Sequence, residues 1–195
     1  MLLYTRPLTN PPAGLAITGA TADGRQIVNR ARSECVSYED TYGSKIPSSI
    51  LADRVASYIH YFTLHGSLRP FGSTVIAASY DPDVKECALH MLEPSGMHYR
   101  YFGCAAGKGR QGAKTEIEKF DLQAMTCEEG VRQVARIIHM LHDDAKDKPF
   151  ELELSWLTEA TGWEQKAVPK EVREEAEKWA VEQNKEDDDD EMEDE

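Results

Sequence analysis

Apolar side chains change their spacing several times along the chain, and each change marks an element. Gly14 to Thr21 alternates, with Leu15 and Ile17 on one side and Ala16 and Thr18 on the other, which predicts a short strand. From Asp23 the period lengthens. Ile27, Ala31, Cys35 and Tyr38 share a helical face, Asp23 offers an N-cap oxygen, and Gly43 suits the stop. A second helix is predicted after Pro47, with Ile50, Leu51, Val55, Tyr58, Ile59 and Phe62 at helical spacing as far as Gly66. Strands follow at Thr74 to Tyr80, Cys87 to Leu92 and His98 to Ala106, separated by the turn sequences Asp81-Pro82-Asp83 and Glu93-Pro94-Ser95-Gly96. Connections this short favour an antiparallel meander.

Two more helices are predicted, Lys108 to Phe120 and Thr126 to Asp144. Thr126 and Glu129 form a capping box at the start of the second, and its buried stripe is read as Val131, Val134, Ala135, Ile138 and Leu141. Phe150 to Leu157 alternates again and, with Trp163 to Val168 returning across Thr161-Gly162, predicts a β-hairpin at the sheet's edge. Pro169 opens an amphipathic helix carrying Val172, Ala176, Trp179 and Ala180. Pro7, Pro11 and Pro12 make residues 1–13 an extended, poorly ordered arm. Helix pairs alternating with antiparallel strands give an α+β layered domain over residues 14–182.

Composition adds limits. A chain of 195 residues that is 41% hydrophobic can bury a real core. Its net charge of −13 is concentrated at the end, where Glu186 to Glu195 hold nine acidic residues. Without them 26 acids face 22 bases, so there is no basic stripe for nucleic acid. Residues 183–195 read as an acidic, disordered tail. Cys35, Cys87, Cys104 and Cys127 are far apart and form no CxxC pair, so reduced thiols are expected. No apolar run approaches the roughly 20 residues that span a bilayer, and Met1-Leu2-Leu3-Tyr4 is too short for a signal-peptide core. No membrane partner is expected, and the expected setting is cytoplasm and nucleus.

Several motifs suggest chemistry without supporting it. Gly107-Lys108-Gly109-Arg110-Gln111-Gly112 fits GxGxxG, but its helix is followed by another helix rather than a parallel strand, so no dinucleotide cofactor is expected. Gly103 to Gly107 is a residue short of a phosphate loop, and Gly109 stands where a hydroxyl belongs. His139 and His142 lack a third ligand at zinc-site spacing and read as a helix terminus, as do His60 and His65, so no metal is expected.

Several segments occur together and in order: Ala22-Asp23-Gly24-Arg25-Gln26, Leu51-Ala52-Asp53-Arg54-Val55-Ala56, Arg69-Pro70-Phe71-Gly72, Lys114-Thr115-Glu116-Ile117-Glu118-Lys119, Phe150-Glu151-Leu152-Glu153-Leu154-Ser155-Trp156 and the acidic end. In these the chain resembles proteasome α subunits from about Gly14 onward. The resemblance implies the αββα four-layer sandwich shared with N-terminal nucleophile hydrolases. It also implies a noncatalytic structural part in the α ring of the 20S core particle, within ubiquitin-dependent protein degradation. Neighbouring α subunits, β subunits and regulatory particles are the implied partners. The helices over Asp23 to Gly43 and Pro47 to Leu64 are implied at the contact with the β ring, with Arg30, Arg32, Glu34, Tyr42 and Arg54 as contact candidates.

Catalytic relatives use an N-terminal Thr whose own amine activates it. Here Met1 comes first, and Thr5, Thr9, Thr18 and Thr21 lack the processing context, so no catalytic residue is expected. The family's opening tail, first helix and leading strands have no counterpart. The expected fold is therefore N-terminally incomplete, a truncated product or a chain stable only within a complex. The alternative is a free-standing adaptor that binds basic partners through its acidic tail.

Overall fold

Leu15, Val75 and Leu92 fall on one face of a single antiparallel sheet, and that face organises the first half of the chain. The computed structural model describes residues 4–8, 13–81, 84–142 and 148–193, with backbone alone for 4–8 and 186–193. The chain divides into two units, Met1–Lys108 with Leu157–Lys166, and Gly109–Trp156 with Ala167–Glu195.

In the first unit, β1 (Tyr4–Leu8), β2 (Ala13–Gly19), β3 (Ser73–Asp81), β4 (Glu86–Leu92) and β5 (His98–Tyr101) lie side by side in chain order, every pairing antiparallel. The expected meander is thus present and longer than expected, because part of the supposed arm supplies β1. Pro7, opposite Gly14, is tolerated there because an edge strand does not need every N–H. β5 ends at Tyr101 rather than Ala106, where the chain bends at Phe102-Gly103.

Helices α1 (Thr21–Tyr42) and α2 (Ser48–Leu64) connect β2 to β3 and cover one sheet face. The alternation within each strand sends Leu15, Ile17, Val75 and Leu92 to that face. There they meet Ile27, Ala31 and Cys35 of α1 and Leu51, Val55 and Ile59 of α2. Ile27, Ile59 and Val75 are fully enclosed, and burial of each such side chain stabilises the layer by about 2 kcal/mol. Gly43 ends α1 in the left-handed conformation at φ 69°. In the segment Leu157–Lys166, Trp163 takes φ 61° and stacks flat on Tyr80, ring centres 3.9 Å apart.

The second unit contains α3 (Arg110–Ile117), α4 (Cys127–Met140) and α5 (Lys170–Glu193). Thr126 and Glu129 form the expected capping box at the start of α4, but the helix ends at Met140 instead of continuing to Asp144: Leu141 and His142 are no longer helical, and Asp143 and Asp144 lie outside the described residues. The α4 stripe needs correction. Val131 and Ala135 are buried and Ile138 packs beside them, but Val134 and Leu141 are exposed and Ile137 is enclosed instead.

The expected hairpin is also different. Only Ser155–Trp156 (β6) and Lys166–Ala167 (β7) pair, as a two-stranded sheet of their own, with the 3-10 turn Glu159–Thr161 between them. The alternation of Phe150, Leu152, Leu154 and Trp156 serves a different surface. It packs these side chains around Val131 and Ala135 of α4 and Ala176 and Ala180 of α5. α5 runs on to Glu193, past residue 183 where the tail was expected to start. Glu, Lys and Gln favour helix, although acidic residues at a helix's C-terminal end oppose its dipole.

Candidate functional site

Helix α1 carries two charge clusters. The first corrects the expectation that Asp23 caps the helix. Ala20 is the N-cap residue and no side chain caps it. Asp23 sits in the first turn, its side chain only 8% exposed, and its carboxylate is taken up by the loop after α2. Arg69 Nη1 donates to Oδ2 and Nη2 to Oδ1, both at 2.7 Å, and the Gly72 N–H donates to Oδ2 at 2.8 Å. Ala20 N–H donates to the Gly72 carbonyl at 2.9 Å, and Ser73 Oγ donates to the Ala20 carbonyl at 3.0 Å.

The hydrogen bonds from Arg69, then that from Gly72, hold the Asp23 carboxyl down at about 2. Gly19 is required beside this clamp. Its φ is 116°, and any side chain there would run into the Gly72 carbonyl. Gly24 is similarly confined, since a Cβ would come within 2.9 Å of Ile17 Cγ2. Ala22-Asp23-Gly24-Arg25-Gln26 and Arg69-Pro70-Phe71-Gly72, remote in sequence, thus meet in one structural device.

The second cluster lies farther along α1 and brings together three of the five contact candidates. Glu34 accepts from Arg30 one turn earlier on the same helix, and from Arg54 Nη1 of α2 at 3.1 Å. Glu34 is 13% exposed, while Arg30 and Arg54 are 44% and 33% exposed, so the acid is enclosed by two half-open guanidinium groups. Aromatic rings extend the patch. Arg30 sits over Tyr58 at 4.8 Å and Arg54 over Tyr38 at 5.3 Å, and Gln26 Nε2 donates to the Tyr58 hydroxyl at 3.2 Å.

Tyr42 joins through its ring contact with Tyr38 at 4.4 Å. Arg32 lies apart, on a shallow exposed groove with Ser33, Val36, Ser37, Asp40 and Thr41. Tyr38 and Tyr58 were read only as core residues, yet each also presents a ring face to an arginine. Spacing along one helix does not reveal this, because each arginine faces a ring of the other helix.

The motifs set aside on sequence grounds fall elsewhere. Gly107 and Gly109 have φ of 103° and 77°, and Gly109 precedes α3, which leads to α4. The His139 and His142 rings both lean on Phe150, at 5.1 and 4.6 Å. Among the described residues no three His, Cys, Asp or Glu side chains gather as a metal would need. Thr5 lies in β1, Thr18 in β2 and Thr21 at the start of α1, while Thr9 is outside the described residues. Burial pushes the Cys35 thiol up to about 12 and that of Cys104 to about 11, so both stay protonated near neutrality. No helix among the described residues is long and apolar enough to cross a membrane.

Both clusters lie within residues 7–157, the span matched by the family model for proteasome subunits. The chain belongs to the proteasome subunit family. It is 57% identical over 164 residues to a proteasome subunit alpha type-3 of Arabidopsis thaliana, covering 84% of this chain and 65% of that protein. A proteasome subunit alpha type-3 of Acanthamoeba castellanii is 49% identical over 176 residues, covering 90% of this chain and 69% of the relative. A probable proteasome subunit alpha type-7 of Saccharomyces cerevisiae is 43% identical over 154 residues, covering 76% and 53%. The chain thus spans 65% of the length of the Arabidopsis relative.

Proposed function

We propose that the chain is a noncatalytic structural subunit of the α ring of the 20S proteasome core particle. In this reading the α1–α2 layer and the five-stranded sheet are two layers of a four-layer αββα sandwich, within an α-type domain over residues 14–182. The outer faces of α1 and α2 meet neighbouring α and β subunits, and the assembled ring receives regulatory particles. The setting is cytoplasm and nucleus, within ubiquitin-dependent protein degradation.

One observation carries the reading: a half-exposed Arg30–Glu34–Arg54 cluster, flanked by tyrosines, on a chain 57% identical to an α type-3 subunit. Arginine and tyrosine are enriched at the energetic centres of protein interfaces. The cluster is built for recognition, and it places no nucleophile beside a base. The relatives named above are all proteasome subunits, which leaves the free-standing adaptor without support.

The test is size fractionation of a native extract expressing the tagged chain, with intact-mass analysis of each fraction. The chain is expected in the largest particles, together with other α and β subunits. Its confinement to small species would overturn the ring reading and return the adaptor.

A further inference from the structure

His90 is buried in β4, on the sheet face that carries α1 and α2. A cavity of about 20 Å³ adjoins it, lined by Ser48, Ala52 and Val55 of α2, Ala31 of α1 and Ser79 of β3. None of the residues lining this space carries a carboxylate. The charged neighbours come from the sheet. Arg100 of β5 lies directly opposite His90, and His98 is next on the same face. Arg100 is already engaged by Glu86 at 3.0 Å and by the Cys87 carbonyl at 3.2 Å. On β3, Asp81 is the next residue of that face beyond Ser79 and is paired opposite Glu86. On α2, Asp53 is exposed and Arg54 is bound to Glu34. A neutral imidazole fits these surroundings. A charged one would meet two cationic or protonatable neighbours and no carboxylate in the cavity.

We propose that His90 acts as an acid-operated release for the α1–α2 layer, since a proton taken up between sheet and helices loosens their attachment and uncovers Leu15, Val75 and Leu92. Burial, then His98 and Arg100, lowers the His90 pKa below its ordinary 6.5. The opened chain therefore binds the proton more readily than the closed one. The attachment is complete above about pH 6.5 and weakens as pH falls below it toward the folded value. This inference is independent of ring membership.

The test follows the His90 ring by NMR in the full chain from pH 7.5 to 4.5, with amide hydrogen exchange read over α1 and α2 at each step. Opening should increase by up to about tenfold per pH unit as His90 titrates, after correction for intrinsic exchange. His90→Gln should remove this dependence, whereas His98→Gln should leave most of it. Titration of His90 at 6.5 or above with unchanged protection would overturn the proposal, as would an unaltered dependence in His90→Gln. If that variant does not fold, the wild-type titration alone decides.

Discussion

The two charge clusters of α1 are only about three helical turns apart, yet their designs are opposite. At the N-terminal turn, Asp23 is shielded from solvent, held by two guanidinium hydrogen bonds and one backbone N–H, and joined to a loop 46 residues away. In mid-helix, Glu34 is held by Arg30 and Arg54, which remain half open and face tyrosine rings. A shielded carboxylate with fixed donors stabilises one backbone arrangement. A half-open cluster contributes little to stability and keeps its groups available to a partner. Sharing a helix therefore does not mean sharing a role: the first cluster fixes α1 against the start of β3, and the second leaves its guanidinium groups partly open beside tyrosine rings, as the proposed contact surface requires.

The largest expected effect comes from attacking the clamp through its backbone. Gly19→Ala forces a side chain into a left-handed position against the Gly72 carbonyl, and denaturant unfolding should show a loss of about 3 kcal/mol. Asp23→Ala, which removes the acceptor and leaves the Gly72 N–H unpaired, should cost about 2 kcal/mol in the same assay.

Acid should separate the clusters without mutation. The folded pKa of Asp23, about 2, is below its ordinary 3.8. The clamp's contribution is therefore full above pH 3.8 and is lost as pH falls through about 2, where wild type and Asp23→Ala should converge. The smallest expected change in stability is that of Glu34→Gln, within about 1 kcal/mol, because the pairs it breaks are partly open to solvent. A loss as large as that of Asp23→Ala would erase the distinction.

Much of the fold was legible because it is written locally. The meander of β3, β4 and β5 follows from alternation bounded by Pro and Gly turns, and α4 follows from Thr126 and Glu129. Long-range commitments were not legible. An aspartate at the start of a helix pattern reads as a cap, and no local periodicity reveals that Arg69 will claim it. Apolar residues at 131, 134, 135, 137, 138 and 141 wrap more than one side of α4, so spacing alone could not choose Ile137 over Val134. The alternation at Phe150 to Trp156 was real, but it met helices where a sheet was expected. At the candidate site, Arg30, Glu34 and Arg54 were found by position off the core stripe. Their gathering, and the arginine-facing rings of Tyr38 and Tyr58, depended on how α1 and α2 meet.

The most direct test of this division of labour reads two quantities for each of two variants, Asp23→Asn and Glu34→Gln: the unfolding midpoint of the purified chain and its share of the largest particles in a native extract. Asp23→Asn should lower the midpoint. Glu34→Gln should leave the midpoint near normal and reduce the share in the particle. Full incorporation of Glu34→Gln, or a midpoint lowered as far as that of Asp23→Asn, would contradict this division of labour.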